Sequence, residues 1–387
     1  MLPARVDRAR DLCAEWVKSG HTPALSVCVA RRGVIVLNEG FGQSGVGDDA
    51  KPVAADSIWP VASTSKPVTS ALVMQLVDEG LIGLNRPAIE YLPELSGEGV
   101  EEILLHHLLT HTSGYPWHTD PSVLHHAKQK LESGFEPPPC PPGRHPSLHP
   151  LLEILWDLPR DHPAGESMTY SNHNILLLGE LVRRVRDMPF EDAAQQYLFG
   201  PLGMKDSYFS LPESEWSRYV VRPPKSPLAE AIPGYFEGFN STAFRESPHP
   251  GGGLCTTPFD LVVFGQLFLN AGCYGDARVL SPAAIGAMSR DQIPGLEANI
   301  AGHKFSPASW SYGFSVESSV RLRFFRGNLS SGGSLHAPGA AGCGFWIDPP
   351  RELVGCYSEA CLGMTDDFEF LTNYDLFENV INSAVDD

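Results

Sequence analysis

Hydrophobic and polar positions divide the chain into a strand-rich beginning, a helical middle and a strand-rich end. Residues 24–39 contain two short apolar runs joined by a turn at residues 31–33, which predicts an antiparallel hairpin. Apolar residues then recur at helical spacing over residues 66–81, 103–110 and 175–186, and this spacing predicts three helices.

Strand patterns return in the last fifth of the chain. They lie at residues 310–317, 321–325, 344–348 and 352–359, and a closing helix is predicted over residues 367–385. This order predicts an α+β fold in which the late strands rejoin the early hairpin in one antiparallel sheet.

Two lobes or one large α/β body are expected, because 387 residues exceed the usual size of one domain. Residues 1–62 and 245–387 are predicted to form an α/β sandwich lobe with a central antiparallel sheet flanked by helices. Residues 63–244 are predicted to form a mainly helical lobe, with the active site in the cleft between the two.

A proline-rich segment interrupts the helical middle. Residues 135–150 contain seven prolines, which exclude a helix interior or a central strand. A loop of this length either forms the wall of a pocket or is a solvated insertion, and the sequence leaves both interpretations open.

Charge and cysteine content narrow the range of functions. The net charge of −18 disfavours binding to nucleic acids and to anionic membrane surfaces. The first twenty residues lack a continuous apolar segment, and no apolar run approaches a membrane span.

The eight cysteines are scattered without a C-x-x-C pair, so neither a zinc site nor a disulfide framework is expected, and a cytoplasmic location is predicted. No cofactor is predicted and no oligomeric state is indicated.

The most specific chemical signal is the sequence Ser63-Thr64-Ser65-Lys66 at the start of a predicted helix. Residues three apart on a helical turn face the same way, so the Lys66 amine can reach the Ser63 hydroxyl. A serine hydroxyl needs a partner that takes its proton before it becomes a good nucleophile. Ser65 is a rival nucleophile, but Ser63 has the lysine at the required spacing.

A second signal, Tyr170-Ser171-Asn172, precedes the helix predicted over residues 175–186. A tyrosine acts as a base only when its phenolate is favoured, and a neighbouring lysine cation would favour it. The Asn172 amide could orient the lysine or a bound acyl group.

Together these two signals resemble the class C β-lactamase and penicillin-binding group of serine hydrolases, in which S-x-x-K is followed by Y-x-N about a hundred residues later. Four further segments resemble that family in the same order along nearly the whole chain. They are HLLTHTSG at residues 107–114, AGE at 164–166, FGPLGM at 199–204 and GGGLCTTPFD at 251–260. The resemblance implies a β-lactamase/transpeptidase-like fold with Ser63, Lys66 and Tyr170 as catalytic residues.

The sequence departs from the family at its third motif. Where the β-lactamases of the family carry K-T-G, this chain carries Ala337-Pro338-Gly339, without a lysine to bind a substrate carboxylate. His336, one residue upstream, could reach the cleft after a small shift and is a candidate substrate-binding residue. The strand can still supply an oxyanion hole, for which the N–H groups of Ser63 and Ala340 are candidates and Gly339 a supporting residue.

Aromatic residues suggest a wide apolar pocket around this chemistry. Trp117, Tyr235 and Trp310 are the candidates for contacting the substrate. A metal site is not expected at His106, His107 and His111, because they coincide with the family's structural turn.

The sequence therefore predicts a hydrolase of carboxylic esters that forms an acyl-Ser63 intermediate and has a small-molecule substrate. Transfer of the acyl group to an alcohol is equally compatible with these residues. A β-lactamase or D-amino-acid peptidase is an alternative, and a non-catalytic binding protein on the same fold is an alternative of another class.

Overall fold

The computed structural model describes residues 1–45, 47, 50–222, 235–317, 326–360 and 373–387, with the backbone only at residues 235–237. Its strands are β1 Ala24–Arg31, β2 Val34–Ser44, β3 Lys51–Pro52, β4 Trp59–Pro60, β5 Met168–Thr169, β6 Cys255–Thr256, β7 Cys273–Tyr274, β8 Ala277–Arg278, β9 Ala298–Ile300, β10 His303–Phe305, β11 Ser315–Val316, β12 Leu335–His336, β13 Cys343–Asp348 and β14 Leu353–Glu359.

The helices lie mainly between the early and late strands. They are α1 Pro3–Lys18, α2 Ser65–Asp78, α3 Leu105–Leu109, α4 Pro121–Glu132, α5 His149–Leu155, α6 Asn172–Arg186, α7 Phe190–Ala194, α8 Gly200–Leu202, α9 Tyr235–Asn240, α10 Thr242–Glu246, α11 Pro258–Leu269, α12 Pro282–Met288 and α13 Tyr374–Ser383. Short 3₁₀ turns include Ala62–Thr64, directly before α2.

The central sheet joins both ends of the chain. Its strand order is β11-β12-β13-β14-β1-β2-β3, and its pairs are antiparallel. The predicted hairpin at residues 24–39 is β1 and β2, and the late strands β13 and β14 rejoin it, with Val27 opposite both Glu39 and Tyr357. The α+β fold predicted from the sequence is therefore present, with a central antiparallel sheet between helices.

Helices cover both faces of this sheet. α1 and α13 contact each other, and α1 packs on β1 and β2, while α11 packs on β13, β14 and β1. Every residue of β1 is buried as a result, which explains why its sequence lacks clean alternation of apolar and polar residues. Leu25, Val27 and Val29 enter the core beneath α1, and Ala24 and Cys28 enter the core on the other face.

Predicted and observed helices differ in ways that the packing explains. The helices predicted over residues 66–81, 103–110 and 175–186 are α2, α3 and α6, which pack together through contacts of α6 with both α2 and α3. Helix α11 was not predicted, because PFDLVVFGQLFL is apolar on nearly every side and lacks helical periodicity. The N-terminal helix α1 and the mostly exposed α4 were also not predicted.

At the C-terminal end, the strand predicted over residues 310–317 is shortened to β11, and the strand predicted over 321–325 lies outside the described residues. The closing helix is α13. Residues 367–372 of the predicted helix also lie outside the described residues. The division into lobes of residues 1–62 with 245–387 and of residues 63–244 stays a prediction, since one core cluster contains side chains from both parts.

The segment 135–150 is mostly an exposed loop, in which Arg144, Leu148 and His149 are buried. Arg144 is buried and its guanidinium pairs with Glu180 at 2.8 Å and with Glu153 at 2.9 Å. Helix α5 begins at the end of this segment, with Pro150 at its first turn, where a missing N–H costs nothing. In the described part of the chain, no helix is both long and apolar enough to cross a membrane.

Candidate active site

The candidate nucleophile lies at a sharp junction between a strand and a helix. Ala62 has φ 45°, a left-handed backbone that strains an alanine, and the 3₁₀ turn Ala62–Thr64 then leads directly into α2. Lys66, three residues after Ser63, places its Nζ 2.9 Å from Ser63 Oγ. The same amine donates to the carbonyl oxygen of Gly251 at 2.8 Å, which fixes its position beneath Ser63.

The hydroxyl of Ser65, the rival nucleophile, is used for two hydrogen bonds within the protein. Its hydroxyl donates to the Ala62 carbonyl at 2.6 Å and accepts from the Leu254 N–H at 3.1 Å. The side chain is completely buried and does not line the cavity, whereas Ser63 is partly exposed and lines it. The geometry therefore favours Ser63 over Ser65 as the reacting hydroxyl.

Lys66 is placed where its charged form is disfavoured. The side chain is 1% exposed, and burial lowers the pKa of its amine to about 7. An appreciable fraction of Lys66 is therefore neutral near neutral pH and has a lone pair available for the Ser63 proton.

Tyr170 completes the group, with its hydroxyl hydrogen-bonded to Ser63. The ring lies against Lys66, whose Nζ is 4.8 Å from the ring centroid. Burial raises the pKa of the Tyr170 hydroxyl well above its usual value, and the bond to Ser63 only partly opposes this effect. The phenolate expected from the sequence is therefore disfavoured, and Tyr170 is a protonated phenol beside an amine that is partly neutral near neutral pH.

Aromatic rings hold the Tyr170 side chain in one orientation. His111 stacks on it with ring centroids 4.5 Å apart, while Trp117 and Trp310 contact it at 5.6 Å and 5.7 Å. His111 Nδ1 faces the Ser171 N–H at 3.2 Å and the Asn174 amide at 3.3 Å, so it acts as an acceptor. Burial lowers the pKa of His111 well below its usual value, which keeps this ring uncharged beside Lys66.

The turn that follows β12 lies against the start of the nucleophile helix. Thr64 Oγ1 donates to the Ala337 carbonyl at 2.8 Å. A Cβ added at Gly339 would clash with the Val61 carbonyl oxygen and lie 2.9 Å from Thr64 Oγ1, so only glycine permits this approach. The turn therefore brings Ala340 to the wall of the cavity that Ser63 lines.

Two backbone N–H groups are available there for an oxyanion. Ser63 lies in the first turn of its helix, where N–H groups have no intrahelical acceptor. The Ala340 N–H has no hydrogen-bond acceptor among the described residues. The Gly339 N–H, by contrast, donates to the Cys343 carbonyl at 2.7 Å. Gly339 thus belongs to the turn and does not itself offer a donor.

A cavity of about 860 Å³ opens over these groups. Of the sequence-predicted site residues, Ser63, Lys66, Trp117, Tyr170, Asn172, Trp310 and Ala340 line it. Lys66 is the only lysine or arginine among the described lining residues. Ser147, at the end of the proline-rich segment, also reaches the lining, while most of that segment is exposed elsewhere.

The prediction that His336 contacts the substrate is wrong. His336 is completely buried and its Nε2 lies 3.0 Å from Glu378 Oε1 on α13, within the sheet face that α13 covers. Neighbouring residues of a strand point to opposite faces, so Ala337 lines the cavity and His336 does not. The side chain of Tyr235, another predicted contact, lies outside the described part of the structure.

Several residues of the site were not identified as functional from the sequence. His118 and His249 line the cavity, as does Phe244. His249 stands two residues before the GGGL segment, which could have drawn attention to it, but nothing in the pattern around His118 signals a site. No group of three or more metal-ligating side chains within the described ranges could hold a metal ion.

Comparison with known proteins places the whole chain in one group. The family model described as Beta-lactamase matches residues 9–365. Protein Rv1367c of Mycobacterium tuberculosis is 29% identical over 90% of this chain and 87% of its own length. Penicillin-binding protein 4 of Amycolatopsis lactamdurans is 26% identical over 87% and 86% of the two chains. Esterase EstB of Burkholderia gladioli is 29% identical over 57% of this chain and 54% of its own.

Solved structures show the same fold. A family VIII carboxylesterase superposes with a TM-score of 0.76 at 21% identity, covering 98% of this chain and 96% of its own. EstCE1, described as a hydrolase with promiscuous acyltransferase activity, has a TM-score of 0.73 at 18% identity and covers 99% of both chains.

Proposed function

This chain belongs to the beta-lactamase family of serine hydrolases, and within that family we propose that it cleaves uncharged carboxylic esters through an acyl-Ser63 intermediate. The observation that carries the proposal is the contact of Ser63 Oγ with a buried Lys66 amine, 2.9 Å away, at a cavity with no other lysine or arginine among its described lining residues.

Acylation begins with transfer of the Ser63 proton to the neutral Lys66 amine as Oγ forms a bond to the ester carbonyl carbon. The negative charge that develops on the carbonyl oxygen is held by the N–H groups of Ser63 and Ala340. When this tetrahedral intermediate collapses, the bond between the carbonyl carbon and the alkoxy oxygen breaks. The Tyr170 phenol gives its proton to the departing alkoxide, and the Lys66 ammonium returns a proton to Tyr170.

Deacylation uses the same groups. Water or an alcohol gives its proton to the Lys66 amine while its oxygen attacks the acyl carbon. The bond to Ser63 Oγ then breaks, and Oγ receives the proton back. Transfer to an alcohol is part of the proposal, because the cavity has room for an acyl group and an alcohol together.

The absence of a cation at the third motif argues against β-lactams and D-amino-acid peptides as the preferred substrates. Of the side chains that could replace the missing lysine, His336 is paired with Glu378. Arg222 is 1% exposed and donates to the Ala341 carbonyl, so its guanidinium is directed to the scaffold. An anionic substrate would therefore find no cation among the described lining residues except Lys66, which acylation requires in its neutral form.

A direct comparison tests this proposal. The kcat/KM of p-nitrophenyl esters with acyl chains of graded length is measured beside that of nitrocefin on the same preparation. We expect the best ester to exceed nitrocefin by at least about 100-fold, which corresponds to the loss of one buried charge pairing. Nitrocefin turnover that equals the best ester would contradict the proposal.

A further inference from the structure

The lining of the cavity contains an uncharged polar group close to the nucleophile, which the mechanism above does not use. His118, Asn172 and His249 form it. Gly251 lies between two of these side chains: a Cβ added there would be 3.3 Å from the His249 ring and 3.6 Å from Asn172 Oδ1. Because the Gly251 carbonyl accepts from Lys66, this polar group lies next to the Ser63–Lys66 pair.

The hydrogen-bonding capacity of the polar group is largely unused within the protein. Asn172 Oδ1 and His118 Nδ1 are buried atoms without a hydrogen-bond partner among the described residues. His249 Nδ1 accepts from the Gly251 N–H at 3.1 Å, so the hydrogen of the neutral ring is on Nε2, which is a donor. The group therefore offers both donors and acceptors to a ligand.

The polar group also stays uncharged. Burial, together with a smaller effect of the nearby Lys66, lowers the pKa of His118 to about 3 and that of His249 to about 4. His173 is also buried and interacts electrostatically with His118 and His249. Burial lowers the pKa of its imidazole to about 4 as well. Neutral imidazoles and an amide match hydroxyl groups, whereas these three side chains offer no charge to pair with a carboxylate, a phosphate or an ammonium group.

We propose that His118, Asn172 and His249 bind the alcohol part of the substrate, and that this alcohol is uncharged and carries at least one hydroxyl besides the one that is esterified. The inference rests on the proposed ester chemistry and specifies its alcohol. The same site holds the leaving alcohol during acylation and the acyl acceptor during deacylation. In acyl transfer, the acceptor oxygen bonds to the acyl carbon, its proton passes to Lys66, and Ser63 Oγ leaves with a proton from Lys66.

The aromatic residues explain why the acyl group would occupy the remaining space. Trp117 and Trp310 each contact the Tyr170 ring and line the same cavity, as do Phe239 and Phe244. The faces of these rings offer apolar surface that suits a hydrocarbon acyl chain. One cavity thus has separate chemistry for an apolar acyl part and a hydroxylated alcohol part.

The experiment compares two acceptors of equal carbon number. A p-nitrophenyl ester serves as acyl donor, and glycerol or 1-propanol is added at equal concentration. The ratio of acyl-transfer product to hydrolysis product is measured for each acceptor by chromatography. For the wild-type protein we expect the glycerol ratio to exceed the 1-propanol ratio by about tenfold, the effect of one or two added hydrogen bonds.

Two variants locate the site. The variants His118→Phe and His249→Phe are made separately, and each keeps an aromatic ring at its position but lacks the imidazole nitrogen atoms. Each should bring the two ratios to within about twofold of one another, because the added hydrogen bonds are lost. The control is His125→Phe on α4, an exposed histidine away from the cavity lining, which should keep the wild-type preference. Because each ratio compares products of one acyl-enzyme, a change in overall rate does not alter it.

The outcomes separate the inference from the function on which it rests. Ester turnover without a preference for glycerol would overturn the inference and leave the proposed function in place. A preference that persists in both His118→Phe and His249→Phe would overturn the assignment of the site. Absence of any turnover of the p-nitrophenyl ester would contradict the proposed function and the inference together.

Discussion

The Lys66 amine lies 2.9 Å from the Ser63 hydroxyl in a position where burial lowers its pKa to about 7. The contact is set by local geometry, since the two residues are three apart on one helical turn. The lowered pKa depends on distant parts of the chain, because Gly251 and Tyr170 enclose the amine. The spacing of the two residues thus places their side chains in contact, and tertiary packing lowers the pKa of the amine.

The first prediction concerns the pH dependence of ester hydrolysis. Below pH 7 the Lys66 amine is protonated and cannot accept the Ser63 proton, so kcat/KM should rise as the pH increases through about 7. The charged and titratable groups that face Lys66 are Tyr170, His111, His118 and His249, and the three histidines are already neutral in this range. A profile of kcat/KM from pH 5 to 9 that stays flat would contradict Lys66 as the base.

Tyr170→Phe tests the role of the phenol as proton donor. Without this proton the departing alkoxide is poorly stabilised, so we expect loss of about 100-fold in kcat for an alkyl ester. p-Nitrophenolate leaves readily without a proton, so the same variant should lose far less activity on the p-nitrophenyl ester of the same acid. Steady-state rates on both esters check this, and equal losses would show that Tyr170 acts in another step.

Gly339→Ala tests the oxyanion hole. The added Cβ would collide with the Val61 carbonyl and push the turn that carries Ala340 away from Ser63. We expect kcat to fall by about 100-fold, as for the loss of one oxyanion donor. Gly332→Ala is the matched control, because a Cβ there meets nothing within 4 Å. Wild-type kcat in Gly339→Ala would show that the turn does not position a donor.

Much of the site could be predicted because its chemistry lies in short segments. Ser63 with Lys66, and Tyr170 with Asn172, stand in two short motifs whose order and separation resemble those of the family, and this resemblance implies their roles. His336 was misplaced because a strand alternates its faces, so the direction of one side chain depends on the pairing of β12, which the sequence does not specify. His118 and His249 come from separate segments that only the fold brings together, and α11 is hidden by its uniformly apolar sequence.

Glu180→Gln tests how the proline-rich segment is held. The Glu180 carboxylate accepts from Arg144, Arg183 and Arg184, and these bonds lower its pKa to about 2 despite the opposing effect of burial. Removing the charge takes away a buried carboxylate that these three arginines share, so the free energy of unfolding should fall by about 3 kcal/mol. Urea denaturation at pH 7 measures this. The exposed Glu132→Gln on α4 is the control and should change it little.

The same substitution has a defined pH dependence. The pKa of Glu180 is depressed in the folded state, so its stabilising effect is fully present above the ordinary value of 4.5 and is lost as the pH falls toward about 2. The difference in unfolding free energy between wild type and Glu180→Gln should therefore be constant above pH 5 and shrink below it. A difference that does not change between pH 7 and pH 3 would contradict the role of the charge.

Covalent labelling of the nucleophile tests the central claim most directly. The protein is treated with a fluorophosphonate, which reacts with an activated serine hydroxyl, and the modified peptide is mapped by mass spectrometry while p-nitrophenyl esterase activity is followed. We expect one phosphonyl group per chain on Ser63, formed in step with loss of activity, and no labelling of Ser63→Ala. Loss of activity with the label on Ser65 or another residue, or full activity in a protein labelled at Ser63, would contradict the account.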